Sequence, residues 1–134
     1  MDRPNDFQPH QILYLQHDRD RVYVELIQQV VSRQMYWSRP LALVTGVACH
    51  PAVGHYQPVW EAEESAIYDL RQAPDLLWPA LLFQPALDTE VMPLLSTLYT
   101  SDAESHPEIA QIAHQQLRHF MHQVWAAAPE AFRA

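Results

Sequence analysis

The sequence predicts an α+β fold, with an N-terminal antiparallel, strongly curved β-sheet packed against two C-terminal helices. Residues 12–45 alternate between apolar and polar side chains and are broken by two short polar turns, which is typical of a three-stranded β-meander. Residues 86–128 instead carry apolar side chains at helical spacing. With 134 residues, the chain has the length of a single domain.

The first two predicted strands follow an N-terminal arm. Residues 1–11 contain prolines and little periodicity, so we expect a flexible arm there, and the first strand covers 12–16. The second strand, 21–31, has two faces. One face carries Val22, Val24, Leu26 and Val30, and the other carries Tyr23, Glu25, Ile27 and Gln29. We expect the valine–leucine face to lie against the C-terminal helix, and the other face to be covered by the chain's own helices or by a partner.

The third predicted strand, 35–45, contains a proline. Its expected inward set is Met35, Trp37, Leu41 and Leu43. Because Pro40 has no N–H to donate, this strand is an edge strand, or it bends or bulges at that point. A bend at Arg39–Pro40 would curl the sheet, and a small SH3-like barrel is the closed form of such a sheet.

The middle of the chain is predicted to be less regular. Residues 46–66 read as a long loop that contains the acidic run 61–64. Residues 67–85 begin with a strand that returns to the sheet and continue as a very apolar stretch. Prolines 74, 79 and 85 interrupt that stretch, so a compact packing segment is favoured over a long helix.

Two helices are predicted at the C-terminal end. Asp88–Glu90 can cap a helix that runs to Leu98, although Pro93 favours a late start or a kink. Ser105–Glu108 fits a capping box for the last helix, which Pro129 ends. Its expected inward stripe is Ile109, Ala113, Leu117, Phe120 and Val124, widened by Met121 and Trp125.

Composition excludes several functional classes. The formal net charge is −8 and the basic residues are all arginines, so lysine Schiff-base chemistry and a P-loop are excluded, and nucleic-acid binding is disfavoured. The two glycines are too few for a glycine-rich phosphate loop. One cysteine cannot form an internal disulfide, and no apolar run approaches a membrane span. We therefore expect a cytoplasmic protein with no cofactor.

Histidine and cysteine provide the chemical alternative, a small enzyme or a metal-binding protein. His119 and His122 lie three residues apart on the polar side of the last helix and could share a metal ion with a third ligand. Cys49, His50 and His55 could supply a nucleophile and a base, or metal ligands. A solvated helix face and an idle thiol explain the same residues without any site. A stoichiometric transition metal in the untagged protein would support this alternative.

Aromatic residues favour a different function, a non-catalytic protein-binding or assembly module that contacts another protein. Tyrosine, tryptophan and arginine dominate binding hot spots, and aromatic residues concentrate in the sheet half of this chain. The candidate contact residues are Tyr23, Tyr36, Trp37, Arg39 and Trp60. Self-association into a homo-oligomer through a sheet edge at Leu41–Val44 is a further hypothesis, which light scattering would test.

Two stretches carry a family resemblance. Residues 21–44 (RVYVELIQQVVSRQMYWSRPLALV) and 75–95 (DLLWPALLFQPALDTEVMPLL) resemble small uncharacterised proteins of cyanobacteria in their glutamine- and tryptophan-rich texture. The resemblance covers about a third of the chain and carries no catalytic motif. It implies a cytoplasmic accessory or assembly factor of a photosynthetic bacterium.

Overall fold

The computed structural model describes residues 7–46, 48–49, 58–59, 66–100 and 107–132. Its strands are β1 (Ile12–His17), β2 (Asp20–Val30), β3 (Met35–Thr45), β4 (Ala48–Cys49), β5 (Pro58–Val59), β6 (Ala66–Asp69), β7 (Leu76–Pro79) and β8 (Gln84–Pro85). Its helices are α1 (Asp88–Thr100) and α2 (Pro107–Ala127), and short 3₁₀ turns cover Val31–Arg33, Ala80–Leu82 and Pro129–Phe132. The predicted α+β class is confirmed.

The main sheet is antiparallel and is built on the predicted meander. The strand order is β6-β3-β2-β1-β8, and β7 pairs with β3 beside β6. β1 pairs with β2, and β2 pairs with β3, as the two short polar turns between these strands predict. A separate two-stranded ribbon pairs β4 with β5 inside the predicted loop.

The sheet is curved and does not close into a barrel within the described residues. β7 lies against β3 and β8 lies against β1, so the segment 76–85 passes from one side of the meander to the other through a single 3₁₀ turn. No strand pairing joins β7 to β8. The curved sheet is therefore confirmed, and the SH3-like barrel is not formed as a hydrogen-bonded ring.

Pro40 lies at a β-bulge in β3. Tyr23 pairs with Ala42 and Val24 pairs with Pro40, so Leu41 is an extra residue in β3. On the other side of β3, pairing with β7 ends at Ser38 and pairing with β6 begins at Ala42. The missing N–H of Pro40 therefore falls in the gap between two neighbouring strands, where no ladder bond needs it.

The bulge also corrects the expected inward set of β3. Tyr36 and Ser38 are fully buried, whereas Trp37 is exposed and Met35 is only partly buried. Because one extra residue reverses the alternation, Leu43 lies on the same face as Tyr36, and Leu41 packs on the opposite face. Of the four expected inward residues, only Leu43 points to that core.

The second strand contains a bulge of the same kind. Val22, Val24 and Leu26 are fully buried on one face, as predicted. Leu26 pairs with Ser38 and Gln28 with Trp37, so Ile27 is the extra residue. The alternation reverses beyond Ile27, and Val30 is consequently only partly buried.

Each helix packs on one face of the sheet. The valine–leucine face contacts the apolar stripe of α2, as predicted, through Ala113, Leu117, Phe120 and Val124. The opposite face, which carries Tyr23, Ala42 and Val44, is covered by Leu94 and Leu98 of α1. The chain's own helix thus covers part of the face that the sequence left open to either a helix or a partner.

The ends of the two helices differ in part from the expectation. α1 begins at Asp88 and continues through Pro93, so it does not start late. Its N-cap is Leu87, whose carbonyl accepts the N–H groups of Glu90 and Val91 at 3.0 Å. In α2, Ile109 and Trp125 are exposed rather than inward, because the buried stripe is narrower than the apolar pattern.

The N-terminal arm is attached to the sheet from residue 7 onward, whereas residues 1–6 lie outside the described part. The ring of Phe7 packs on Tyr36 with the centroids 6.0 Å apart. The His10 N–H donates to the carbonyl of Leu26 at 2.6 Å, and the Leu26 N–H donates to the carbonyl of Gln11 at 2.9 Å. Phe7, His10 and Gln11 therefore attach the described part of the arm to the sheet. Neither described helix has the length and apolar character of a membrane span.

Candidate protein-binding groove

An open, mostly apolar groove lies between α2, β7 and the terminal 3₁₀ turn, and we call it the aromatic groove. Its volume is about 270 Å³. It is lined by Trp78, Arg118, Met121, His122, Trp125 and Phe132. The C-terminal part of the chain and the distant strand β7 therefore contribute to one surface.

The floor of the aromatic groove is an aromatic pair. Trp78 sits in β7 opposite Tyr36 of β3, which fixes its ring on the core side of the sheet. Phe132 lies on the terminal turn and meets Trp78 edge to face, with centroids 5.1 Å apart and an interplanar angle of 83°. The turn itself continues α2 through the Ala128 N–H, which donates to the Val124 carbonyl at 3.0 Å.

One side of the aromatic groove is a stripe along α2. Arg118, Met121, His122 and Trp125 are spaced so that they follow one another along one side of the helix. The adjacent stripe of Leu117, Phe120 and Val124 is buried and holds α2 on the sheet. Trp125 remains 56% exposed, which is unusual for so large an apolar side chain.

The rim of the aromatic groove carries an arginine and a histidine. Arg118 makes no hydrogen bond or ion pair with the other described residues, and its side chain is exposed. His122 lies one helical turn further along and also lines the groove. In a chain with a formal net charge of −8, an arginine beside an open aromatic surface is a local exception to the overall charge.

A second depression borders the other side of the terminal turn. Its volume is about 450 Å³, and it is lined by Leu81, Ala127, Ala128, Pro129, Glu130 and Ala131. Leu81 is 60% exposed there. Exposed apolar surface therefore flanks the terminal turn on both sides, as is common where a protein meets a partner.

The outer face of β3 holds two of the sequence-predicted contact residues, Trp37 and Arg39. The indole N–H of Trp37 donates to Asp75 Oδ2 at 2.8 Å, and the Arg39 Nε lies 3.5 Å from Asp75 Oδ1. Leu77, which pairs with Trp37 across the strands, is 47% exposed. In this outer patch, the arginine already has an acidic neighbour.

Tyr23 and Tyr36 are not contact residues in this structure. Both side chains are fully buried, which corrects the expectation that they belong to a binding surface. Tyr36 packs in the core between Phe7 and Phe83, with ring centroids 6.0 and 5.4 Å away. Tyr23 packs under α1, because the helix covers the face on which the strand alternation places it.

The hydroxyl of Tyr23 belongs to a buried polar cluster that attaches α1 to the sheet. Glu90 Oε1 accepts hydrogen bonds from the Tyr23 hydroxyl and from Arg21 Nη1, the latter at 2.9 Å. Glu90 Oε2 accepts the N–H of the N-cap residue Leu87 at 3.0 Å. Burial raises the pKa of Tyr23 far above its ordinary value, and the hydrogen bond to Glu90 raises it further.

The guanidinium of Arg21 contacts Gln16 and Tyr14 as well as Tyr23 and Glu90. Its Nε donates to Gln16 Oε1 at 3.1 Å, and its carbon lies 4.1 Å from the centre of the Tyr14 ring. Burial lowers the pKa of Arg21, but its hydrogen bond and charge interaction with Tyr23, with further contributions from Tyr14 and Glu90, outweigh that effect and raise it. The cluster is 5% exposed or less at each of its three members, Arg21, Tyr23 and Glu90, so it is sealed from solvent.

The histidine and cysteine candidates are not gathered into a site by the described residues. His119 and His122 are both exposed on α2. No group of three or more histidine, cysteine, aspartate or glutamate side chains in the described ranges could hold a metal ion. Cys49 lies in β4, but its side chain, together with His50, His55 and the contact candidate Trp60, falls outside what the structure describes.

Sequence reasoning did not identify the aromatic groove. Trp78 and Phe132 come from separate segments, and no pattern along the chain places them in contact. The one signal in the sequence lies on α2, where Arg118, His122 and Trp125 form a stripe beside the buried one. The width of the helical stripe suggested instead that Trp125 was inward.

No protein-family model, no curated protein and no solved structure matches this chain.

Proposed function

We propose that this chain is a non-catalytic protein-binding module and that the aromatic groove is its contact surface. The observation that carries the proposal is the exposure of Trp125 beside Met121, Trp78 and Phe132 in an open depression. Tryptophan is among the residues most enriched at binding hot spots, and methionine adapts to varied apolar partners. A side chain inserted here would displace water from several aromatic rings at once.

The shape of the aromatic groove favours a protein segment over a small molecule. Pockets that enclose small ligands usually measure roughly 300–1,000 Å³ and bury most of the ligand. This groove is about 270 Å³, and it is open on one side. A second depression of about 450 Å³ flanks the same terminal turn. An occupant that also used that depression would need to be longer than a single small molecule.

The position of the titratable groups supports a non-catalytic function. The Arg21–Tyr23–Glu90 cluster is buried between α1 and the sheet, so a substrate has no access to it. Glu90 of this cluster also accepts the N–H of Leu87 and so holds the N-terminus of α1. Among the described residues, this buried polar cluster thus stabilises the fold, and the exposed aromatic surface remains available for binding.

A peptide library displayed on phage tests the proposal, because random peptides present many partner chemistries to the groove at once. The library would be selected on the purified protein, and enriched peptides would be titrated against three proteins: the wild type, Trp125→Ala and Trp37→Ala. Trp37→Ala is a matched control, since Trp37 is also an exposed tryptophan but lies on the outer patch.

The expected result is a loss of about 30-fold in affinity for Trp125→Ala, the size of a hot-spot effect of about 2 kcal/mol. Trp37→Ala should change the affinity by less than about twofold, since a residue outside the interface contributes little. Circular dichroism would confirm that both variants fold. Loss of binding in Trp37→Ala alone would assign the contact to the outer patch, and the absence of any selected peptide would contradict the module.

A further inference from the structure

The Arg118–His122 rim of the aromatic groove restricts what the groove can hold. Arg118 and His122 are one helical turn apart on α2, and both border the apolar floor. Both are donors of hydrogen bonds, and neither has an acidic partner within the described residues. Arg39, a described arginine that is also exposed beside an aromatic residue, is by contrast paired with Asp75.

The chemistry of these two side chains points to a carboxylate. A guanidinium presents a planar fork of N–H donors that matches the two oxygens of a carboxylate. The attraction between a guanidinium and a carboxylate is stronger beside an apolar surface, because a bound partner excludes water from the ion pair.

We propose that the aromatic groove takes an acidic peptide segment, in which an apolar or aromatic anchor enters between Trp125 and Phe132 and an adjacent glutamate or aspartate meets Arg118 and His122. The proposal rests on the protein-binding function stated above and names the partner's chemistry. The net charge of −8 opposes an acidic partner at long range, but screening limits that repulsion to about 8–10 Å at ordinary salt. Recognition of the peptide therefore depends on the local contact between its carboxylate and the side chains of Arg118 and His122.

A focused peptide set tests this inference. Each peptide carries one anchor, chosen from leucine, methionine, phenylalanine and tryptophan, and the positions beside the anchor carry either glutamate or glutamine. Binding of each glutamate peptide and its glutamine counterpart would be measured by fluorescence anisotropy with the wild type, Arg118→Gln and Arg33→Gln. Arg33 is the matched control, because it is exposed and lies in the first 3₁₀ turn, outside the groove.

The expected result is that glutamate peptides bind the wild type about three- to fivefold more tightly than their glutamine counterparts, in the range of a partly exposed ion pair. Arg118→Gln should reduce that preference, because only His122 then remains to meet the carboxylate, and Arg33→Gln, which lies outside the groove, should keep it. This pattern forms a double-mutant cycle, so a general loss of folding cannot imitate it.

The two levels of the proposal fail in different ways. If the peptides bind through Trp125 but show no preference for glutamate, the acidic specificity is wrong and the binding groove stands. If no peptide binds in a way that depends on Trp125, the groove is not a protein-binding site and the acidic specificity falls with it. If glutamate is preferred equally by Arg118→Gln, the preference has another origin and the role of Arg118 is refuted.

Discussion

Replacing Glu90 with glutamine is expected to be among the most destabilising polar substitutions in this chain. The side chain is 2% exposed and accepts hydrogen bonds from Arg21, Tyr23 and the N–H of Leu87. The substitution keeps the shape of the side chain and removes its charge. Any loss of stability therefore reports on the electrostatics of the cluster rather than on a cavity.

The expected loss in the free energy of unfolding follows from the buried groups that Glu90→Gln leaves without a carboxylate partner. Arg21 stays buried at 5% exposure with no carboxylate, and breaking one partner of a buried ion pair costs about 3–5 kcal/mol. The amide nitrogen also replaces one acceptor oxygen, so either the Leu87 N–H loses its acceptor, or both the Tyr23 hydroxyl and Arg21 lose theirs. Because a domain of this size is stable by about 5–15 kcal/mol, the substitution removes a large fraction of the free energy of unfolding.

Urea unfolding followed by circular dichroism measures this loss. The control is Glu108→Gln, an exposed first-turn residue of α2, which should cost no more than about 1 kcal/mol, the range of a charge at a helix N-terminus. The double variant Arg21→Met with Glu90→Gln should lose less than the sum of the single losses, since it no longer buries an unpaired charge. A loss below about 1 kcal/mol for Glu90→Gln, or strict additivity in the double variant, would refute the proposed anchoring role.

Two further predictions concern polar groups elsewhere in the sheet. Ser38→Ala should leave the free energy of unfolding unchanged or raise it by up to about 1 kcal/mol in urea, because the buried hydroxyl has no hydrogen-bond partner among the described residues. Asp69→Asn should lower it at neutral pH: burial raises the pKa of Asp69, but the hydrogen bonds from Arg71 outweigh this and lower it. The carboxylate therefore stabilises the fold above its ordinary pKa, and the difference between Asp69→Asn and the wild type should narrow as the pH falls through that range and below. A pH-independent difference would contradict this assignment, as would a marked loss in Ser38→Ala.

The architecture was predictable from the sequence where the signal is local. Two polar turns in residues 12–45 specify the pairing of neighbouring strands, and the apolar spacing of α2 specifies its buried side, whereas the predicted capping box at Ser105 lies outside the described residues. The valine–leucine face of β2 was assigned correctly up to Leu26. These features depend on residues that are close in sequence, so a pattern along the chain contains them.

The bulges were not predictable in the same way. Pro40 indicated an irregularity in β3, but the extra residue is Leu41, and it is defined only by its pairing with β2. A shift of one residue makes the side chains on one side of the bulge face opposite to the alternation on its other side, so an alternation extended from Leu43 is reversed before Leu41. For this reason, an error at one position exchanged Tyr36 for Trp37 as the inward aromatic residue, and it placed the buried Tyr36 on the expected contact surface.

The aromatic groove shows why the binding surface was harder to find than the core. α2 must turn Leu117, Phe120 and Val124 toward the sheet, and this requirement alone fixes the rotation of the helix. The same rotation places Arg118, His122 and Trp125 at the margin of the buried stripe, where β7 and the terminal turn meet them. A stripe at the margin of a helix becomes a groove only if another segment stands beside it, and here that segment is the turn that carries Phe132. Removing the Phe132 ring should therefore weaken peptide binding while the stripe of α2 stays in place, which separates a groove from a merely exposed tryptophan.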